Sequence, residues 1–221
     1  MRPRVAVTGG SRALEDRLRS LGIRVLRMPS IRIAPPRGRA ALAKEVGRPF
    51  DWVVLASRNA ERAFLEAGGE VRASAAVGPG SSASLLRALR RRGVRGRTVL
   101  IPRSDASPSA LPRALRRLGA RVRCVTAYRT LPVPLGAHAA SLLARGRVDA
   151  VVFASASAAR SFASSCRRHG IPLRILRAVS IGPETSRALR REGFRISAEA
   201  RQQTAAGLVR AVRKALKAAV A

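Results

Sequence analysis

The chain has 221 residues, with 44 Lys+Arg against 12 Asp+Glu and a formal net charge of +32. That length suits one large α/β domain or two of about 100 residues each, and a hydrophobic fraction of 47% speaks for a packed core rather than a disordered basic tail. No run approaches the roughly 18 apolar residues of a membrane helix, the opening Met1-Arg-Pro-Arg-Val-Ala-Val lacks an apolar signal core, and two cysteines with two histidines fit no disulfide framework or metal-ligand spacing, so a cytoplasmic protein without cofactor is expected.

Apolar runs alternate with Ala/Leu/Arg segments of helical period, the pattern of a parallel sheet covered by helices. In chain order, a strand at 4–8 leads to a helix at 11–21 and a strand at 23–27. The Pro-bearing stretch Met28–Pro36 then reads as an extended linker. A helix at 38–46, a strand at 51–56, a helix at 58–67 and a strand at 74–77 follow, then a helix at 82–92, a strand at 98–102, a helix at 108–118 and a strand at 121–126. A second extended linker, Tyr128–Pro134, precedes a helix at 136–145, a strand at 149–154 and a helix at 156–168. The chain closes with a strand at 177–181, a helix at 185–192, a strand at 195–198 and a helix at 204–218. Near-continuous apolar runs such as Trp52-Val-Val-Leu and Val151-Val-Phe fit strands buried on both faces.

The charge excess is mostly arginine, in runs such as Arg90-Arg91-Arg92, Arg116-Arg117 and Arg190-Arg191. Each run falls late in an expected helix, on its polar stripe, where cations complement the helix dipole. Aromatic residues are only 3% of the chain, too few to interleave with the arginines as base-stacking platforms, so nucleic acid is not the expected partner.

An internal repeat is more informative. Asp51-Trp-Val-Val-Leu-Ala-Ser57-Arg-Asn-Ala-Glu-Arg-Ala-Phe64 matches Asp149-Ala-Val-Val-Phe-Ala-Ser155-Ala-Ser157-Ala-Ala-Arg-Ser-Phe162, sharing Asp, Val-Val, Ala-Ser, Ala, Arg and Phe in register. Val77-Gly-Pro-Gly-Ser81 is echoed by Ile181-Gly182-Pro-Glu-Thr185. Duplication of one βα-type domain explains both. Repeat order alone would place a tandem boundary near residue 96. The two linkers instead suggest a discontinuous domain, 1–33 plus 132–221, with 34–131 inserted.

Each repeat sets small hydroxyl residues just past strand ends: Ser57 and Ser155 after the Val-Val runs, Ser81 and Thr185 after Gly-Pro. In open α/β sheets ligands bind at this edge, where helix N-termini present free N–H groups. A hydroxyl there serves equally well as a plain N-cap. Tyr128, the single tyrosine, opens the second linker; it is either a packing residue whose hydroxyl finds a partner or a proton donor. No phosphate-binding Gly-Lys loop, nucleophile elbow, paired carboxylates or Cys/His cluster is present.

Taken together, Asp51-x-Val-Val-x-Ala-Ser57, Val125-Thr-Ala-Tyr128-Arg-Thr, Val151-Val-Phe-Ala-Ser155-Ala-Ser157-Ala, Ile181-Gly182-Pro-Glu-Thr185-Ser-Arg-Ala-Leu and Ala198-Glu-Ala-Arg-Gln-Gln-Thr204 resemble the uroporphyrinogen-III synthase (HemD) family over almost the whole chain. The resemblance implies two flavodoxin-like (HemD-like) parallel-sheet α/β domains joined by the two extended linkers. It implies a lyase of heme and tetrapyrrole biosynthesis that cyclises hydroxymethylbilane to uroporphyrinogen III, inverting ring D and losing water, without cofactor or metal. The substrate would lie in the interdomain cleft of a monomer, and hydroxymethylbilane synthase could hand it over. Tyr128 would be the catalytic donor. Ser57, Ser81, Ser155, Ser157, Arg177, Gly182 and Thr185 would contact substrate, with the arginines attracting its carboxylates at longer range. A tetrapyrrole-binding or nucleic-acid-associated relative without activity is the alternative that Gly9 and the large charge would suit.

Overall fold

Val5 and Val7 turn to one side of the first strand and Ala6 to the other, and all three are buried. A strand with two apolar faces must be covered on both, and the architecture follows from that requirement. The computed structural model describes residues 2–9, 12–71, 76–77 and 82–218. In chain order they form β1 (Arg4–Val7), α1 (Arg12–Ser20), β2 (Arg24–Arg27), β3 (Ile31–Ala34), α2 (Arg39–Val46), β4 (Trp52–Val54), α3 (Arg58–Glu66), β5 (Ala76–Val77), α4 (Ser82–Arg92) and β6 (Thr98–Ser104). There follow α5 (Ala110–Arg117), β7 (Arg121–Pro132), α6 (Ala137–Ala144), β8 (Ala150–Phe153), α7 (Ala156–Arg168), β9 (Arg177–Ser180), α8 (Pro183–Glu192), β10 (Arg195–Glu199) and α9 (Ala205–Lys217). No helix among the described residues is long and apolar enough to cross a membrane.

The chain divides into two compact units, Met1–Arg32 with Leu131–Ala221, and Ile33–Thr130. In the first, five strands run in the order β10-β9-β8-β1-β2, parallel at every pairing. One face packs Val5, Val7, Val152 and Val179 under Leu14, Leu18, Leu208 and Val212 of α1 and α9. The other packs Ala6, Val151 and Phe153 under α6, α7 and α8, centred on the edge-to-face contacts of Phe153 with Phe162 and Phe194.

The second unit has the order β3-β7-β6-β4-β5, with β5, β4, β6 and β7 parallel. Leu85, Leu89, Leu111 and Leu115 from α4 and α5 cover one face, and Leu42 and Phe64 from α2 and α3 cover the other. In each unit the order turns back on itself once, between β1 and β8 and between β4 and β6. That makes both sheets doubly wound, with a ligand-accepting crevice expected beyond the strand carboxyl ends at these switch points.

The repeated aspartates explain themselves here. Asp149 donates its amide to the carbonyl of Arg4 at 2.8 Å, and its carboxylate accepts the Arg4 amide at 2.6 Å. Asp51 does the same with Thr98, at 2.9 and 2.7 Å. Each aspartate therefore clasps the amino-terminal end of the strand across its switch point. Asp51 also meets Arg97 at 2.9 Å.

Two expectations change. Met28–Pro36 and Tyr128–Pro134 are not bare linkers: the first contains β3, and β7 runs on through Tyr128 to Pro132 as the neighbour of β3. Their prolines fall at strand ends, where a missing N–H costs no ladder bond. The helix expected from residue 185 begins earlier, at Pro183, because proline is pre-organised for the first helical position. Of the strand expected at 74–77, Ala76–Val77 lie within the described residues.

The Thr98 amide, and then the Arg97 guanidinium acting against partial desolvation, holds the Asp51 carboxyl below its ordinary 3.8. A depressed carboxyl stabilises the fold above its unfolded value, and that stabilisation is lost as pH falls through the folded one. Asp51→Ala should therefore lower the urea midpoint at neutral pH, and the gap to wild type should close below pH 3.8. A gap that stays constant into acid would refute the carboxylate's role. A fragment spanning 34–131 is expected to show a cooperative thermal transition by circular dichroism; an unfolded 34–131 beside a cooperatively folded 1–96 would overturn the discontinuous division.

Candidate active site

In the second unit, β4 ends and the chain reaches Ser57 in extended conformation (φ −153°, ψ 156°). Its hydroxyl accepts the Ala60 amide at 3.2 Å and so caps α3. The same oxygen lies 3.0 Å from the Tyr128 hydroxyl. Ser57 and Tyr128 are each half-buried. Tyr128 reaches this position because β7 is long and its register against β6 shifts between Arg103 and Ser104, a bulge of the kind that re-aims a side chain. Its ring also lines a groove of about 310 Å³ with Ile33, Leu42, Asn59, Arg62 and Ala127.

The backbone around Tyr128 is pinned. The Asp105 amide donates to the Tyr128 carbonyl at 3.3 Å, and the Asp105 carboxylate accepts the amides of Thr130 and Ala106, at 3.0 and 2.9 Å, and the Ser104 hydroxyl at 3.0 Å. Desolvation would raise the Asp105 carboxyl, but these donors, with Arg129, outweigh it and hold it below the usual carboxylate value. Ser104 and Asp105 lie outside the family-like motifs, and Thr130 ends the Tyr128 motif with no role expected of it. Their signal is the abrupt change from the apolar Val99-Leu-Ile-Pro to Arg103-Ser-Asp beside the strand carrying Tyr128.

In the first unit the equivalent edge carries Ser155, also extended (φ −162°, ψ 156°), whose hydroxyl accepts the Ala158 amide at 3.1 Å and caps α7. Ser157 sits beside it, with the two hydroxyl oxygens 3.1 Å apart. Gly182, not Thr185, occupies the cap position of α8 and leaves the Gln203 side chain room, since a Cβ there would come within 3.0 Å of Gln203 Nε2. Thr185 is instead buried within the first turn. That turn is tied down by a chain of hydroxyls. Ser186 donates to the Glu199 carboxylate, so Ser180, 2.6 Å from Ser186 Oγ, must be its donor.

Arg177 departs from expectation. It opens β9 and is exposed, three strand rises or about 10 Å from the carboxyl-terminal edge where Ser155 and Thr185 stand. The fold places it at the opposite end of its sheet. Ser81 lies outside the described residues. Cys166 is no candidate nucleophile, because burial pushes its thiol up to about 12.

The chain matches the profile of the family described as uroporphyrinogen-III synthase HemD over residues 12–83 and 70–210. The chain belongs to the HemD family. Among solved structures, it is similar to a mutant uroporphyrinogen III synthase from the extreme thermophile Thermus thermophilus, with a TM-score of 0.70 at 21% identity, covering 98% of this chain and 99% of that one. It is also similar to uroporphyrinogen-III synthetase from Helicobacter pylori, with a TM-score of 0.61 at 16% identity, covering 96% and 99%. At such identities the likeness establishes the fold. No curated protein matches the chain by sequence.

In this HemD-family chain the duplicated serines are thus helix caps first, whatever else they touch. Ser155→Ala should cost about 1 kcal/mol of stability and Ser155→Gly only a few tenths, because glycine tolerates the cap conformation and leaves the amides solvated. Equal losses in chemical denaturation would show that Ser155 is not held there as a cap.

Proposed function

We propose that this chain is a uroporphyrinogen-III synthase that closes hydroxymethylbilane into uroporphyrinogen III, with inversion of ring D and loss of water, and that Tyr128 is its proton donor. Family membership supports the reaction, and the observation that carries the residue is the hydrogen bond between Tyr128 and the α3 cap at the strand-end edge of its sheet. The substrate is a polycarboxylate. Helix N-termini beyond β4, β8 and β9 offer it amide donors and a favourable dipole, while the surplus of arginine raises its local concentration from a distance.

Chemically, the hydroxymethyl C–O bond breaks with its electron pair passing to oxygen. That oxygen takes the phenolic proton and leaves as water, with positive charge left on the tetrapyrrole. The phenolate recovers the proton released when the macrocycle closes. A tyrosine suits this step, because an ordinary phenol stays protonated at neutral pH yet can donate to a basic leaving group. Most of the rate advantage comes from holding one conformation of a flexible, spontaneously reactive substrate. The groups proposed to hold it are Ser155, Ser157, Thr185 and the main chain at Gly182, while Ser57 stands beside Tyr128.

Incubation with freshly made hydroxymethylbilane, followed by separation of the oxidised isomers, tests the reaction. The type III isomer should dominate; type I formed at the uncatalysed rate would leave a tetrapyrrole-binding relative. Tyr128→Phe should keep the melting temperature and slow type III formation by about 10²-fold or less, the low end for a general acid. Full activity in that variant would remove catalysis from this side chain.

A further inference from the structure

We infer that Ser57 serves the reaction chiefly through Tyr128, as a positioning residue that sets the direction of the phenolic proton. This inference rests on the reading of Tyr128 as proton donor. A serine hydroxyl has one proton to give and two lone pairs to share. One lone pair of Ser57 is already used by the Ala60 amide. The 3.0 Å contact with Tyr128 then has two possible senses. If the phenol donates to Ser57, its proton is consumed by the protein and cannot be given away. If Ser57 donates to the phenol, the phenolic proton is left free for the departing hydroxyl.

Position decides between them. Ser57 Oγ sits at the amino-terminal end of the nine-residue α3, where the aligned peptide dipoles are equivalent to a partial positive charge. An oxygen in that field is a weaker second acceptor and a stronger donor. The chain of bonds therefore runs from the Ala60 amide to Ser57 Oγ, and from the Ser57 O–H to Tyr128 Oη, with each bond polarising the next. When the phenol gives up its proton, the resulting phenolate already has a donor in place and a helix end behind it, so little reorganisation is required.

The duplicated half of the chain is an internal control. Ser155 caps α7 by the same bond to the third residue of its helix, Ala158. Its oxygen, however, faces Ser157 rather than a phenol. Asn59 stands in the first repeat where Ser157 stands in the second. Capping thus requires no tyrosine, and the contact with Tyr128 is an addition to the cap. The fixed backbone on either side of Tyr128, held by Asp105, presents the ring to that serine.

Tyr128 is the only tyrosine in the chain, so the tyrosine Fermi doublet in the Raman spectrum of the intact protein reports on this phenol alone. The intensity ratio of the doublet distinguishes a phenol that accepts a hydrogen bond from one that mainly donates. The wild-type ratio should be that of an accepting phenol. Ser57→Ala should shift it toward the donor-only ratio, Ser57→Thr should restore it, and Ser155→Ala, which removes the matching cap, should leave it unchanged. In the isomer assay Ser57→Ala should lower kcat about tenfold, the scale of one hydrogen bond, with KM nearly unchanged. Combined with Tyr128→Phe, it should add nothing. A doublet indifferent to Ser57→Ala, a donor-only wild-type ratio, a rise confined to KM, or multiplicative losses in the double variant would each overturn the inference. Those results leave the donor role of Tyr128 standing where Tyr128→Phe alone is slow; a fully active Tyr128→Phe would instead defeat the donor role itself.

Discussion

The amino-terminal edges of both sheets are set by one reciprocal contact, an aspartate that gives its amide to, and takes the amide from, the first residue of the strand across the switch point. Without it, the two parallel pairs β8–β1 and β4–β6 would begin with unpaired polar groups beside apolar strands. Register matters in such a sheet, because a slip by one residue would carry every side chain to the other face. Once the aspartate is fixed, so is the residue that follows at the far end of the strand. In both repeats that residue is a serine at the same offset: Ser57 after Asp51 and Ser155 after Asp149. The structural clasp and the candidate functional edge are therefore two ends of one short ruler.

The ruler also shows which parts of the sequence are legible and which are not. The Val-Val runs announce strands buried on both faces, and both lie at interior positions of the doubly wound sheets, as β4 and β8. Ser57 and Ser155 stand out as caps or site residues because the offset from Asp is the same in both repeats. Tyr128 is visible as a lone tyrosine, but its partner is not. The two are 71 positions apart, and only the continuation of β7 past the expected strand end brings them together. Proline marks that stretch as a linker, yet proline at a strand terminus forfeits no ladder bond. Thr185 reads as the start of its helix because Gly182-Pro183 resembles a turn, whereas Pro183 is the first helical residue. Arg177 is expected at the site from the family resemblance; strand direction places it at the other edge.

The charge imbalance acquires a simpler meaning once the carboxylates are placed. With 12 acidic residues against 44 basic ones, each carboxylate is a scarce acceptor, and several are committed to holding structure. Glu15 takes Arg19 and Arg27 at 2.9 and 2.7 Å. Desolvation would raise its carboxyl, but the pairing outweighs that and keeps it below the ordinary value. Glu45 meets Arg48 and Arg123, Glu192 meets Arg167, and Asp51 and Asp105 tie backbone amides. Exposed pairs of this kind contribute little individually, so their value lies in fixing loops and strand ends rather than in summed stability.

What remains is a surplus of arginine larger than the carboxylates can pair, and it cannot do the work of selecting one substrate conformation. An exposed guanidinium on a long, mobile side chain attracts a carboxylate over roughly a Debye length, about 10 Å at moderate salt, but it imposes no geometry at that distance. In the proposed function, geometry would come from groups whose positions the fold already fixes: the amides at the starts of α3, α7 and α8, the capping hydroxyls, and a phenol whose main chain is clamped by Asp105. The proposed function thus assigns attraction and placement to different chemistry. Salt should weaken the first while leaving the second almost untouched, because backbone amides at helix ends are short-range donors whose orientation is set by the helix and not by ionic atmosphere.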